Sequence, residues 1–175
     1  MSGPLTLISA AFLVPLALII SYYDICYRRI PNPFVLATLV VGFIVHVAFA
    51  GIGGALSSLG GCALAFFLMF VLHIFGAMGA GDVKLFAAIG AVAGANLVLP
   101  MFLVVTLTGL VLGVISMFRA GQVKSTMTRV FYIVMGLLPG QRVPKFAIPT
   151  DRRLTIPYGV AITFGSLISL FLFRG

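Results

Sequence analysis

The sequence predicts an all-α, polytopic integral membrane protein with about six transmembrane helices, and three observations predict it. Of the 175 residues, 62% are hydrophobic and only 8% are charged, whereas soluble domains carry about 25% charged residues. The apolar residues form continuous runs of about 20 residues, the length that crosses a bilayer. The basic residues fall almost entirely between alternate runs, as in loops on one side of a membrane. No polar segment is long enough to fold a separate core, so we expect one membrane domain over residues 1–175.

Six apolar segments, taken in order, supply the predicted spans. The first contains Pro15, which favours a kink. A Gly-rich turn at 51–54 separates the second span from the third. The fourth and fifth spans share one apolar run, 83–118, which we divide at Gly94. The fourth is then short, which indicates that it is tilted or packed against its neighbours. The predicted spans are residues 5–23, 34–50, 56–75, 83–94, 97–118 and 154–173.

The basic residues predict the orientation of these spans. Arg28 and Arg29 follow the first span, Lys84 follows the third, and a basic loop at 119–153 holds seven more. Only Arg174 falls on the opposite side. Because Lys and Arg concentrate in cytoplasmic loops, these connections are predicted to face the cytoplasm from the cell inner (plasma) membrane. The net charge of +8 then indicates orientation and contact with anionic membrane lipids, and we expect no nucleic-acid binding.

The acidic residues are few, which makes their placement informative. The chain has Asp24, Asp82 and Asp151 and no glutamate. Asp24 ends the first span and Asp82 precedes the fourth, so both are predicted at the cytoplasmic side and at similar depth. Two carboxylates that meet in a poorly hydrated site cannot both ionise easily, so they share a proton. One can then take a proton from water while the other protonates a peptide carbonyl, which hydrolyses the bond without a metal or a cofactor.

Other hydrolytic chemistries lack their residues. A zinc peptidase with a His-Glu-x-x-His helix needs a glutamate, and His46 and His73 stand singly inside apolar spans. We interpret both histidines as packing or helix-bonded residues. Cys26 and Cys62 form no CxxC pair and are predicted to be reduced packing thiols.

Residue chemistry alone leaves other readings open. Asp24 could be an interfacial charge paired with Arg28, and Asp82 one paired with Lys84. The same composition would suit a small permease or ion/proton transporter that uses Asp82 and Lys84. It would also suit a non-catalytic subunit of a secretion assembly.

Three motifs, in order along the chain, resemble those of the type IV prepilin peptidases. Gly79-Ala80-Gly81-Asp82-Val83-Lys84 resembles the GxGD signature of membrane aspartyl proteases, with the lysine that follows it in this family. Asp24 followed by Arg28-Arg29-Ile30-Pro31-Asn32 is similar to the segment after the family's first catalytic aspartate. Ile156-Pro157-Tyr158-Gly159 resembles the sequence that opens the last span. The chain lacks the cysteine-rich domain of the bifunctional members and looks like the short, peptidase-only branch of the Flp/Tad pilus type.

The resemblance implies an aspartyl endopeptidase that removes the short basic leader from type IV pilin or pseudopilin precursors at the cytoplasmic face. It implies that Asp24 and Asp82 are the catalytic pair and that no metal or cofactor takes part. N-methylation of the new N-terminus is not expected. The resemblance further implies substrate-binding or site-supporting roles for Gly79, Gly81, Lys84, Pro31, Asn32, Pro157 and Tyr158.

Overall fold

The computed structural model describes residues 3–74, 78–119, 121, 123, 128 and 158–174. In this part of the chain every element is helical and there is no strand, so the predicted all-α class is confirmed for it. The elements are α1 Gly3–Tyr27, α2 Asn32–Ile74, α3 Ala80–Ala93, α4 Ala95–Arg119 and α5 Tyr158–Arg174.

The chain divides into two compact units. The first, Met1–Gly109 with Pro157–Gly175, contains α1, α2, α3, α5 and most of α4. The second, Leu110–Ile156, contains the end of α4. Both predicted catalytic aspartates belong to the first unit, so the site is described within it.

Helix α2 reverses direction at Gly51. This residue has φ 55° and ψ −134°, a non-helical conformation in the left-handed half of φ space that favours glycine. A Cβ atom at Gly54 would run into the carbonyl group of His46, although a straight helix would hold these residues about 12 Å apart. The 43 residues of α2 would span about 64 Å if straight, roughly twice the hydrocarbon core of a bilayer. The break predicted at 51–54 is therefore present at Gly51, and the two limbs of α2, 32–50 and 52–74, cover the predicted second span and residues 56–74 of the third.

Helix α3 is the buried centre of the first unit. Nearly every side chain after its first turn is inaccessible, which marks an interior helix. Glycines let α2 approach it closely: a Cβ atom at Gly42 would lie 2.7 Å from the backbone nitrogen of Val92, and one at Gly61 would meet the carbonyl oxygen of Gly90. The Ser58 hydroxyl adds a hydrogen bond of 2.9 Å to the Ala91 carbonyl. Small residues at these crossings allow backbone-to-backbone packing, as in membrane helix pairs.

Several helices begin or end at other residues than the predicted spans do. Helix α1 continues past residue 23 to Tyr27, so Asp24 lies inside a helix and not in the connection after it. Nothing in the sequence breaks the helix there, and the left-handed φ of 53° at Arg28 ends it. Helix α3 begins at Ala80, because Gly79 serves as its N-cap, and it ends where Gly94, with φ 79°, makes the predicted turn into α4.

Six spans are not confirmed. Among the described residues, three helices are long and apolar enough to cross a membrane: α1, α2 and α4. Helix α5 is apolar but shorter, and the 14 residues of α3 would cover only about 21 Å. Most of the predicted basic loop 119–153, and residues 154–157 of the sixth span, lie outside the described residues.

Two neighbouring glycines give a matched test of the α2–α3 packing. We expect Gly61→Ala to lower the free energy of unfolding by about 1–3 kcal/mol, because the new methyl group overpacks a backbone contact. Gly60→Ala should be neutral, since its Cβ atom would stand at an ordinary 3.6 Å from that of Ala95. Thermal unfolding of the purified proteins in detergent measures the difference, and equal midpoints for the two variants would contradict the packing described.

Candidate active site

Asp24 lies near the end of α1 and points its carboxylate at the start of α5. The residue is only 8% exposed. Its Oδ2 atom accepts a hydrogen bond of 2.7 Å from the backbone N–H of Gly159, and the N–H of Val160 also donates to the carboxylate. A helix N-terminus offers free N–H groups and the positive end of the helix dipole. The start of α5 therefore supplies the polar partners that a buried carboxylate requires.

Glycine at position 159 is what allows this approach. A Cβ atom there would lie 2.8 Å from Oδ2 of Asp24 and 3.1 Å from its Cγ, closer than non-bonded atoms tolerate. Behind it, the Thr163 hydroxyl donates to the Gly159 carbonyl at 2.8 Å. The Thr163 hydroxyl uses its proton in that bond. The Ser21 hydroxyl therefore donates to the Thr163 oxygen, at 3.5 Å. Ser21 precedes Asp24 by one helical turn, so this chain of contacts returns to α1 and sets its register against α5.

Asp82 lies in the first turn of α3. Its Oδ2 atom accepts a hydrogen bond of 3.1 Å from the N–H of Gly79, the N-cap residue. A capping box has two bonds, one from the N3 backbone N–H to the N-cap side chain and one from the N-cap backbone N–H to the N3 side chain. Glycine has no side chain, so only the second bond forms here. Burial raises the pKa of Asp82 from 3.8 to about 6, the Gly79 N–H opposes that shift, and the negative charge of Asp24 adds to it.

The structure thus brings Asp24 and Asp82 into one site from two different helices. The charge of Asp24 acts on Asp82, and Tyr158, next to the glycine that contacts Asp24, is close enough to Asp82 for their charges to interact. Each carboxylate accepts a backbone N–H at the start of a helix, α5 for Asp24 and α3 for Asp82. A carboxylate whose pKa is raised by the charge of a second carboxylate can share one proton with it, which is the arrangement that acid and base catalysis by a carboxylate pair requires.

The other predicted site residues that the structure describes differ in their exposure to solvent. Gly79 and Gly81 are exposed beside Asp82, and Lys84 is exposed one turn further along α3. Pro31 is half-buried, and its carbonyl accepts the N–H of Phe34 at 3.2 Å. Exposed Asn32 opens α2, while Pro157 lies outside the described residues.

Sequence reasoning missed the residues that hold Asp24 in place. In the sequence, Gly159 stands out only as part of a motif, and neither Thr163 nor Ser21 stands out at all. One signal was available: Ser21 and Asp24 are three residues apart, and Gly159 and Thr163 four, so each pair shares a helix face. That the two faces meet is a tertiary contact, which spacing along the chain does not reveal.

Stability should depend on pH through Asp82. Its pKa is higher in the folded protein than its ordinary value of 3.8, so folding favours the protonated form, and the stability this proton supplies is complete below about pH 4 and lost as the pH rises through about 6. Asp82→Asn has no proton to lose, so its unfolding temperature should fall less than that of the wild type between pH 4 and 7. Thermal unfolding in detergent measures both profiles, with Thr106→Val, which removes an exposed hydroxyl bonded to Phe102 in its own helix, as the control. Parallel wild-type and Asp82→Asn profiles would contradict the raised pKa.

Comparisons with known proteins give one match. A family model described as the type IV leader peptidase family matches residues 11–114, a stretch that includes both aspartates. No curated protein and no solved structure matches the chain. In the described part of the chain, no three His, Cys, Asp or Glu residues are grouped as metal ligands would be.

Proposed function

Because this chain belongs to the type IV leader peptidase family, we propose that it is a membrane aspartyl endopeptidase that cleaves the short basic leader from type IV prepilin-like precursors at the cytoplasmic face of the membrane. Family membership supports a peptidase of this general kind, and the long apolar helices support a membrane protein. The observation that carries the finer proposal is the convergence of Asp24 and Asp82, each bonded to a backbone N–H, in one site.

In the proposed mechanism the two carboxylates act with one proton between them. The ionised carboxylate takes a proton from water as the water oxygen bonds to the scissile carbonyl carbon. The protonated carboxyl gives its proton to the carbonyl oxygen, which forms a tetrahedral diol. When the C–N bond breaks, the carboxyl that took the proton from water gives it to the leaving nitrogen. One hydroxyl of the diol gives its proton to the other carboxylate and becomes the carbonyl of the new carboxyl group, so the pair again holds one proton. We assign the acid and base roles to the pair as a unit, because interacting carboxylates titrate together.

The exposed glycine segment suggests how a substrate reaches this pair. Asp24 is covered by α5, whereas residues 79–81, beside Asp82, are exposed. An extended peptide that lies along 79–81 would place its carbonyl group next to Asp82. Glycines there leave room for the substrate backbone, so the approach we propose is from this side.

A bulky residue at position 81 should therefore block the substrate more than the fold. The three described atoms nearest to a Cβ atom at Gly81 would all belong to Ile30, the closest at 3.8 Å, an ordinary contact, so Gly81→Ala should keep most of the activity. Gly81→Leu would fill the space beside Asp82, and we expect it to lower cleavage at least about tenfold while membrane insertion stays normal. Quantitative blotting of precursor, product and peptidase in membranes measures both effects, and full cleavage by Gly81→Leu would place the substrate elsewhere.

Position along the helix also supports cleavage at the membrane edge. Asp24 lies in the last turn of α1, one of the apolar helices long enough to cross the bilayer. A precursor with a basic leader and a following apolar helix can keep the helix in lipid while its leader stays in water. The bond between the two then lies at the depth of Asp24, on the side where basic residues are concentrated.

Reconstitution tests the proposal. Purified protein in liposomes, with no ion gradient, is incubated with a precursor whose leader is accessible from one side only. We expect release of the leader, identified by mass spectrometry as a single cut before the apolar helix, only when the leader meets the face that carries Arg28 and Arg29. Absence of cleavage from both sides, or cleavage that needs a gradient, would contradict a peptidase of this kind.

A further inference from the structure

His73 is linked to the candidate site through a single peptide group. It lies next to the end of α2 and is half-buried. Its Nδ1 atom is 2.8 Å from the carbonyl oxygen of Met78. Because a carbonyl oxygen only accepts hydrogen bonds, Nδ1 carries the proton and His73 is the donor.

The same peptide group continues to Asp82. The carbonyl of Met78 and the N–H of Gly79 belong to one planar unit. Its oxygen accepts from His73, and its N–H donates to Oδ2 of Asp82 at 3.1 Å. Hydrogen bonds in such a chain polarise one another, so a donor at the carbonyl end strengthens the N–H at the other end.

We propose that His73 is a positioning residue for Asp82, which holds and polarises the Met78–Gly79 peptide so that the Gly79 N–H stays on the Asp82 carboxylate. The proposal rests on the peptidase function argued above. His73 touches neither the substrate nor the reacting atoms, so it acts only through this peptide. Without it, the Met78–Gly79 peptide would lose the hydrogen bond that it accepts from α2.

Comparison with the second histidine shows why packing does not explain this contact. Nδ1 of His46 is bonded to Gly42, one turn earlier in its own helix, at 3.1 Å, a local contact of a helical side chain. The partner of His73 lies beyond the end of its helix, in the segment that leads to Asp82. Its ring also lies 6.3 Å from that of Phe70, a contact that any aromatic ring could make.

The carboxylate of Asp24 is held in the same way. The Gly159–Val160 peptide donates its N–H to Asp24, and its carbonyl accepts from the Thr163 hydroxyl. Each carboxylate of the pair therefore receives a peptide N–H whose carbonyl end is held by a side chain. This parallel is the reason to assign His73 to the site and not to the packing of α2.

Two substitutions test the hydrogen-bond donor of His73 and its aromatic ring one at a time. His73→Phe keeps an aromatic ring beside Phe70 but removes the donor, while His73→Asn removes the ring and places an amide N–H where Nδ1 stood. We expect kcat for precursor cleavage to fall about tenfold in the Phe variant, as for loss of one hydrogen bond to a charged group. The Asn variant should recover most of that rate. If the Phe protein does not elute as a folded particle, His73→Leu replaces it, and Thr106→Val is the matched loss of a side-chain hydrogen bond elsewhere.

A second readout does not depend on cleavage. A water-soluble carbodiimide labels the protonated carboxyl of Asp82, and mass spectrometry resolves it because the chain has only three acidic residues. Asp82 is acted on by burial, by the Gly79 N–H and by the charge of Asp24 from α1, and its own charge acts on Tyr158 at the start of α5. None of these is changed by the substitutions, so the labelling midpoint should move to higher pH in His73→Phe and stay near the wild-type value in His73→Asn.

The outcomes decide whether His73 positions Asp82 or only packs within α2. A Phe variant with the wild-type rate and midpoint would overturn the role of His73, as would loss of activity in the Asn but not the Phe variant. An upward shift of the midpoint in the Phe variant alone would support it. If the wild-type protein fails to cleave any precursor, the proposed function is wrong, while the labelling midpoints still test the link from His73 to Asp82.

Discussion

Asp82→Asn is expected to lower the rate of precursor cleavage by roughly 10³-fold or more. Asparagine has nearly the size of aspartate, and its Oδ1 atom can still accept the Gly79 N–H that bonds to Asp82 at 3.1 Å. The start of α3 should therefore keep its conformation. What the amide cannot do is exchange a proton with water or with the scissile carbonyl. Initial rates of leader release, measured with the purified variant in liposomes, give the loss.

Two further variants test whether the loss of cleavage is specific to the proposed catalytic pair. Asp24→Asn should lose activity to a similar extent, because the proposed chemistry needs both carboxylates. Asp151→Asn removes the remaining acidic residue of the chain and should cleave at the wild-type rate. An Asp82→Asn protein that keeps a tenth or more of the activity would exclude an essential carboxylate at position 82. An Asp151→Asn protein that folds but does not cleave would show that Asp151 is also required, and that Asp24 and Asp82 are not sufficient for catalysis.

Gly159→Ala carries the second large expected effect, a loss of cleavage of about 100-fold. A Cβ atom at this position would lie 2.8 Å from Oδ2 of Asp24, 3.1 Å from its Cγ and 3.2 Å from its Cβ. Helix α5 or the carboxylate must then move, and both N–H donors to Asp24 move with the helix. A displacement of about 1 Å in a catalytic group costs on the order of 10² in rate.

The control for this prediction is an alanine where there is space. Among the described residues, a Cβ atom at Gly53 would meet nothing within 4 Å, so Gly53→Ala should cleave at the wild-type rate. Both variants should appear in the membrane fraction in wild-type amounts, measured by blotting alongside the cleavage assay. A Gly159→Ala protein as active as Gly53→Ala would mean that α5 does not hold Asp24 as described.

The features that sequence reasoning placed well are those that local chemistry determines. The all-α class follows from long apolar runs. The turns at Gly51 and Gly94 occur where the backbone takes φ of 55° and 79°, a region that glycine enters at little cost. Counting charges on alternate connections predicts Asp24 and Asp82 on one side of the membrane, which stays a prediction, and in the structure the charge of Asp24 acts on Asp82.

The features that it did not place depend on contacts between distant parts of the chain. The bond between Asp24 and Gly159 joins residues 135 positions apart, and no spacing rule predicts it. Helix α1 runs through Asp24 because no residue breaks it there, so an acidic residue after an apolar run looked like a helix end. His73 looked like a packing residue because its partner, Met78, belongs to the next segment of the fold.

The central claim, that Asp24 and Asp82 form the catalytic pair of a membrane peptidase, is tested most directly by comparing purified wild type with the double variant Asp24→Asn/Asp82→Asn. Both proteins are reconstituted in liposomes without a gradient and given the same prepilin-like precursor. We predict that the wild type releases the leader and that the folded double variant releases none. Cleavage by the double variant, or none by either protein, would contradict the claim.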